Sequence, residues 1–258
     1  MVLLWLLLMG IGAGILSALL GLGGGIFLVP SLTLLFHLPI RVAVGTSLIG
    51  ILATSAGVAA VTPPGRGGNV ELALRLEVAT TAGAILGSWL AGKISAQALS
   101  IMFAIVVFLT AGYIYYKARR KVSQSIPERL FRQDYQPRHW PAGLSVAGFA
   151  GTVAGLLGIS GGFIKVPLMY AIMDVPLGIA TATSSFMVGI TAAASIFIYY
   201  GRGDVHPLVA IPTALGVFIG AMIGVYLLPR LRAKWLRTAL VGLLIIIGAQ
   251  MLLQGLQP

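Results

Sequence analysis

Among the ionisable residues, Lys165 stands where chemistry is easiest to imagine. It lies in GISGGFIKVP, residues 158–167, three residues after Gly162 and inside a segment, 163–173, that is otherwise apolar. A buried ammonium is costly unless something compensates it. That placement predicts a cation held for an anion. The plainer alternative is a lysine that snorkels to an interface. The glycines just before it add a second feature. If the short apolar segment is helical, its free N–H groups and positive dipole end start at the motif, as in a helix-terminal anion site. The motif occurs twice. At 21–30 the chain reads GLGGGIFLVP, so Gly23, Gly24 and Gly25 stand opposite Ser160, Gly161 and Gly162. The counterpart of Lys165 is Leu28, so the motif itself does not require the charge. These six backbone positions and Lys165 are the first candidates for substrate binding.

Hydroxyl residues follow each copy. Thr46 and Ser47 match Thr183 and Ser184, with Ser185 next in line. They are candidate donors to substrate oxygens, and equally small residues that let membrane helices pack closely. Asp174 and His37 occupy equivalent positions after the short segments. They are candidates for carrying a coupling proton, against the plainer reading of solvated loop ends. Glu77 is expected to pair with Arg75 at the interface. No catalytic residue and no metal set is expected. The chain has no cysteine, and its histidines are His37, His139 and His206, none in a ligand-like pattern. No nucleotide-binding motif is present, so no cofactor is expected.

The elements that must position these residues come from a duplication. An ungapped offset of 137 residues aligns Gly14 with Gly151, Pro30 with Pro167 and Pro39 with Pro176, and Gly83 and Gly87 with Gly220 and Gly224. Hydrophobic residues make up 58% of the 258-residue chain and charged residues 9%, with mean hydropathy +1.00. That much apolar surface fits only an all-α polytopic membrane protein. The start MVLLWLLLMG lacks a basic flank and reads as a retained membrane segment. The net charge of +11 then points to basic cytoplasmic loops rather than to nucleic acid. Each half has about five hydrophobic segments: 2–20, 26–36, 42–61, 72–90 and 98–116, then 142–157, 163–173, 177–200, 207–228 and 235–253. The second of each set is too short for an ordinary span, and is either a short crossing or the returning arm of a re-entrant hairpin.

Charge sets the topology. Residues 117–139 hold Lys117, Arg119, Arg120, Lys121, Arg129, Arg132 and Arg138. A second basic loop carries Arg230, Arg232, Lys234 and Arg237. Both are expected in the cytoplasm, with Arg41, Lys93 and Arg202 on the opposite side. An even number of crossings must separate the two basic regions. Each half then has an odd number, and the repeats are inverted with both termini outside. The expected layout is repeat 1 at 1–118, a basic cytoplasmic linker at 119–141 and repeat 2 at 142–258, in the inner or plasma membrane. The glycine breaks would meet near the midplane, where unpaired backbone is tolerated only if buried in protein or lining a wet cavity.

The duplicated GxxGGxxxVP motif, the PxxxAxxTS step after it at Pro39–Ser47 and Pro176–Ser184, and the basic central linker resemble the TauE/SafE family, also called the 4-toluene sulfonate uptake permease family. The resemblance covers nearly the whole chain. It implies a gradient-coupled carrier of sulfite, sulfoacetate, other sulfonates or related anions. Ser160 departs from the motif where repeat 1 has Gly23, so the two halves of a site would not be equivalent. The expected partners are a small anionic substrate and the lipid bilayer, with no nucleic acid. Oligomeric state, substrate and direction are left open. The competing class is a channel-like anion pore without alternating access. An intramembrane enzyme lacks its nucleophile or ligands, and a purely structural protein would leave the paired glycines unexplained.

Overall fold

The computed structural model describes residues 1–20, 23–61, 69–119, 136–227 and 233–256. Most of the basic linker (120–135) and the loop at 228–232 lie outside the described residues, and with them the charges at Arg120, Lys121, Arg129, Arg132, Arg230 and Arg232. The described chain is helical, in the order α1 (Val2–Leu20), α2 (Gly25–Leu35), α3 (Ile40–Val61), α4 (Val70–Ala91), α5 (Ala96–Arg119), α6 (Trp140–Leu157), α7 (Gly162–Ile172), α8 (Leu177–Gly201), α9 (Pro207–Leu227) and α10 (Ala233–Leu256). Six of these, α1, α3, α5, α6, α8 and α9, are long and apolar enough to cross a membrane. Helix α4 matches them in length but carries Glu71, Arg75 and Glu77. Large apolar side chains such as Val78, Phe197, Leu208 and Tyr226 face outward, as lipid contact requires.

The halves are interleaved. The first helix of each half packs on the fourth helix of the other: α1 on α9, and α6 on α4. Gly10 lies against Thr213 and Gly216, and Gly14 against Val217 and Ala221. Gly83 lies against Gly148 and Thr152, and Gly87 against Thr152 and Leu156. Contacts advance in the same direction on both partners, so each pair is parallel. The glycines matched by the duplication are among those that let these backbones touch. A Cβ at Gly14, Gly151, Gly83 or Gly220 would fall within 2.0–2.3 Å of a partner carbonyl oxygen. The equivalent helices α5 and α10 pack on each other with Phe108 beside Gly248 and Ile101 beside Gly255, which is antiparallel. Helices α3 and α8 pack on each other, and on the exposed side of their contact Ser55 Oγ donates to the Ser185 carbonyl at 3.0 Å.

The short helices α2 and α7 break at glycine and run on past their prolines. Pro30 and Pro167 are each followed by a five-residue π-helical turn, 31–35 and 168–172. Proline has no N–H and crowds the carbonyl one turn back, and a wider turn is one way to accommodate that. Each helix then closes the same way. His37 and Asp174 adopt left-handed φ of 53° and 57°, and the next amide reaches back, Leu38 N to Leu32 O at 3.2 Å and Val175 N to Met169 O at 2.9 Å.

Candidate functional site

The two glycine breaks touch each other. A Cβ at Gly25 would lie 1.9 Å from the Gly158 carbonyl oxygen, and one at Gly23 would lie 2.2 Å from Ser160 Cβ. Gly23 and Ser160 are repeat equivalents, so this is a self-contact of the duplicated motif. Two side chains cannot both occupy it. The asymmetry noted in the sequence therefore has a steric reason: Gly23 makes room for Ser160. Gly24 is less constrained. It has right-handed φ and ψ of −47° and −17°, and a Cβ there would first meet the flexible tip of Leu28 at 3.2 Å. Gly161 is held at φ +65°. The breaks lie beside the middle of α3, with Ile51 3.0 Å from the Gly25 position.

Lys165 is 1% exposed and does not snorkel. Its Nζ donates to Thr191 Oγ1 at 2.8 Å. Thr191 Oγ1 in turn donates to Glu77 Oε1 at 2.6 Å, with the Met187 carbonyl at 2.9 Å as a second acceptor. Glu77 Oε2 lies 3.7 Å from the ammonium. Thr81 Oγ1 donates to Glu77 Oε1 at 3.2 Å. Glu77 is 4% exposed. Its Oε2 is buried and has no hydrogen-bond partner. Three helices thus supply one buried charged cluster: α7 the lysine, α8 the threonine and α4 the glutamate.

This corrects one expectation. Glu77 does not pair with Arg75. That arginine bonds Glu71 at 2.6 Å on the exposed end of α4, one helical turn away, while Glu77 points into the protein. The compensation for the lysine charge is accordingly a carboxylate of the chain itself. The counterparts of Lys165, Thr191 and Glu77 in the other half are Leu28, Thr54 and Ala214. Leu28 is fully buried near Gly24 and Gly50. The same fold position is therefore filled once with an ion pair and once with apolar groups.

The other candidates separate. Ser47 Oγ donates to the Val44 and Gly158 carbonyls at 2.8 and 2.9 Å, which ties the second glycine break to α3. Thr183 Oγ1 accepts from Asn69 N at 2.9 Å, and Asn69 Oδ1 caps α4 by accepting from Leu72 N at 2.9 Å. Ser184 is buried and Ser185 exposed. The Thr46 hydroxyl is buried without a partner. Ser160 Oγ accepts from Gly162 N at 3.5 Å. His37 and Asp174 sit at exposed turns, away from the charged cluster. The seam beside that cluster is lined by Leu48, Ile51, Ala154, Ile159, Ser160 and Thr191, and is too tight to admit a water molecule.

At one end of the bundle, three loops gather. Arg41 donates to the Ile94 carbonyl at 2.8 Å. Arg202 donates to the Ser88 carbonyl and, at 2.7 Å, to Asp204 Oδ2. These are the loops that the charge argument assigns to one membrane face.

Multiple apolar spans, short helices that begin at glycine breaks and a charged cluster in a dry centre together define a polytopic membrane protein of the transporter class. The profile of the sulfite exporter TauE/SafE family matches residues 6–251, and the chain belongs to that family. Relatives are similar end to end. One from Bacillus subtilis (strain 168), "Probable membrane transporter protein YunE", is 26% identical over 97% of each chain. A second from the same organism, "Probable membrane transporter protein YdhB", is 30% identical over 90% of this chain and 96% of its own. A third, from Methanocaldococcus jannaschii, is 26% identical over 96% of this chain and 94% of its own. No solved structure matches.

Proposed function

We propose that this membrane transporter is a secondary carrier of a small sulfur-containing anion, such as sulfite, sulfoacetate or another sulfonate, which binds beside Lys165. The observation that carries this reading is the buried Lys165–Thr191–Glu77 cluster, set against the glycine breaks. Its counterpart in the other half is apolar, so the fold does not need it. An ion pair kept at that cost in the middle of a membrane protein argues for a role in binding. The backbone of Gly23–Gly25 and Ser160–Gly162 and the free hydroxyl of Thr46 are the other proposed contacts. The family description supports the anion class.

The antiparallel packing of α5 on α10 supports inverted repeats. The gathering of Arg41, Arg202 and the Lys93 loop at one end supports placing these loops on one face; the proposed arrangement sets the linker on the cytoplasmic face and the termini outside, in the plasma or inner membrane. Cysteines placed at 93 and 234 of this cysteine-free chain should label from opposite sides; labelling from the same side would sink that arrangement. The substrate test is counterflow in proteoliposomes with sulfite, sulfoacetate, thiosulfate, taurine and sulfate. Saturable exchange of one sulfur anion is expected. Non-saturating, purely electrical flux would favour the channel-like pore, and no flux of any of them would reject the reading.

A further inference from the structure

We propose that Glu77 is the proton site of this carrier, and that anion and proton enter the cluster together: the anion takes the ammonium of Lys165, and the displaced carboxylate takes the proton at Oε2. This rests on the transport reading above. The argument begins with charge. As it stands, the cluster holds one buried cation and one buried anion, so its net charge is zero. An anion arriving at Lys165 would add uncompensated negative charge in a dry apolar setting, which is heavily penalised. A proton on Glu77 cancels one unit of that charge.

The geometry suits that exchange. The contact of Oε2 with the ammonium is the loose one, at 3.7 Å, whereas Oε1 is held by Thr191 and Thr81 at 2.6 and 3.2 Å. The glutamate can therefore release the lysine without losing its anchors. Oε2 has no hydrogen-bond partner. Once protonated it becomes a donor, and an anion seated between it and Nζ would accept from both sides through charge-assisted bonds. Thr191 touches both partners and borders the central seam, so it connects the exchange to the place where the bundle must open.

No other titratable group competes among the described residues packed on α4. Helix α6 carries none. At the far end of α8 they are Tyr199 and Tyr200, with Arg202 just beyond; the Tyr199 hydroxyl donates to the Gly155 and Leu156 carbonyls, and Arg202 is taken up by Asp204 and the Ser88 carbonyl at the opposite end of α4 from Glu77. On α4 itself Glu71 and Arg75 satisfy each other at the exposed end. Lys165 is the one charge that faces Glu77.

The test uses the full chain in proteoliposomes with sulfoacetate and thiosulfate. Both are fully ionised near neutral pH, so a proton that moves with them is carried by the protein. Counterflow at equal pH comes first. With the voltage clamped at zero and the outside one pH unit more acid, one proton per anion gives about tenfold accumulation, and a lumenal pH dye reports acidification. Glu77→Gln should bring the accumulation ratio to about one and abolish the acidification at whatever exchange rate remains. Glu77→Asp should recover both. If Glu77→Gln does not fold, calorimetric titration of the parent with sulfoacetate in buffers of different ionisation enthalpy reads the same quantity, with one proton expected per anion bound. Exchange in the parent without proton movement, or proton-driven accumulation in Glu77→Gln, would overturn the coupling and leave the transport reading standing. No exchange of either anion, nor of sulfite, would overturn the transport reading itself.

Discussion

The duplication supplies its own control for the charged cluster. Leu28 and Ala214 show which residues the fold accepts where function does not ask for charge. Removing one member of the pair leaves a buried charge alone. Lys165→Leu and Glu77→Ala should each destabilise the folded protein by about 3–5 kcal/mol. The double variant copies the apolar half and should regain most of that loss, because replacing a whole buried pair with apolar groups is often neutral or better. It should nevertheless not carry anions. Thermal unfolding of the three variants in detergent, alongside counterflow, checks both statements. A double variant as unstable as the singles would mean that the pair holds the bundle together, and a transporting one would remove the lysine from the site. Of this cluster, Lys165 was legible from sequence because a charge interrupted an apolar segment. Glu77 was not, because Arg75 two residues earlier offered a nearby partner. Two residues apart on a helix is the wrong spacing for a pair, and that signal alone would have turned Glu77 away from Arg75. Its true partner is 88 residues on, and nothing local announces it.

At the scale of elements, the apolar runs located the helices well. The segment expected at 42–61 is Ile40–Val61, and that at 163–173 is Gly162–Ile172. Asn69, the prolines and the glycine breaks punctuate the chain strongly. The π-helical turns after Pro30 and Pro167 were not legible, since a proline signals a disturbance and not its resolution. The structure also separates glycines that touch a neighbour from those that do not. Gly14→Leu and Gly151→Leu should push apart α1 from α9 and α6 from α4, and sharply lower the monodisperse yield on size exclusion. Gly12→Leu and Gly242→Leu add side chains into open space and should leave the yield close to the parent's. Equal losses in all four would mean that glycine matters here for insertion rather than for packing.

Across the whole molecule, the interleaving decides which parts can move as units. Helices α1 and α9, and α4 and α6, are joined by backbone-to-backbone contacts, which leave little room for sliding. The seam between α3 and α8 borders the charged cluster, and must part if an anion is to reach Lys165. A cysteine pair at Ser55 and Gly189 tests this, since a Cβ at 189 would lie 3.2 Å from Ser55 Cβ, close to disulfide spacing. Oxidising that pair should arrest exchange, and a reductant should restore it. Unchanged exchange in the oxidised protein would place the moving boundary elsewhere.

The pairing of α1 with α9 also bears on how the protein is made. Helix α1 ends at Leu20 and α9 at Leu227, 207 residues later. At 5–20 residues per second, a ribosome needs roughly 10–40 s to supply that partner. Throughout that interval the glycine face of α1 has only lipid, the insertion machinery or a chaperone against it. Helix α6 finds α4 already synthesised and has no such wait. Nascent chains stalled after α8 should therefore be cleaved readily near α1 by a membrane protease and resist near α6, with resistance at α1 appearing once α9 has emerged. Equal resistance at both helices before α9 exists would mean that α1 is sheltered by something other than its final neighbour.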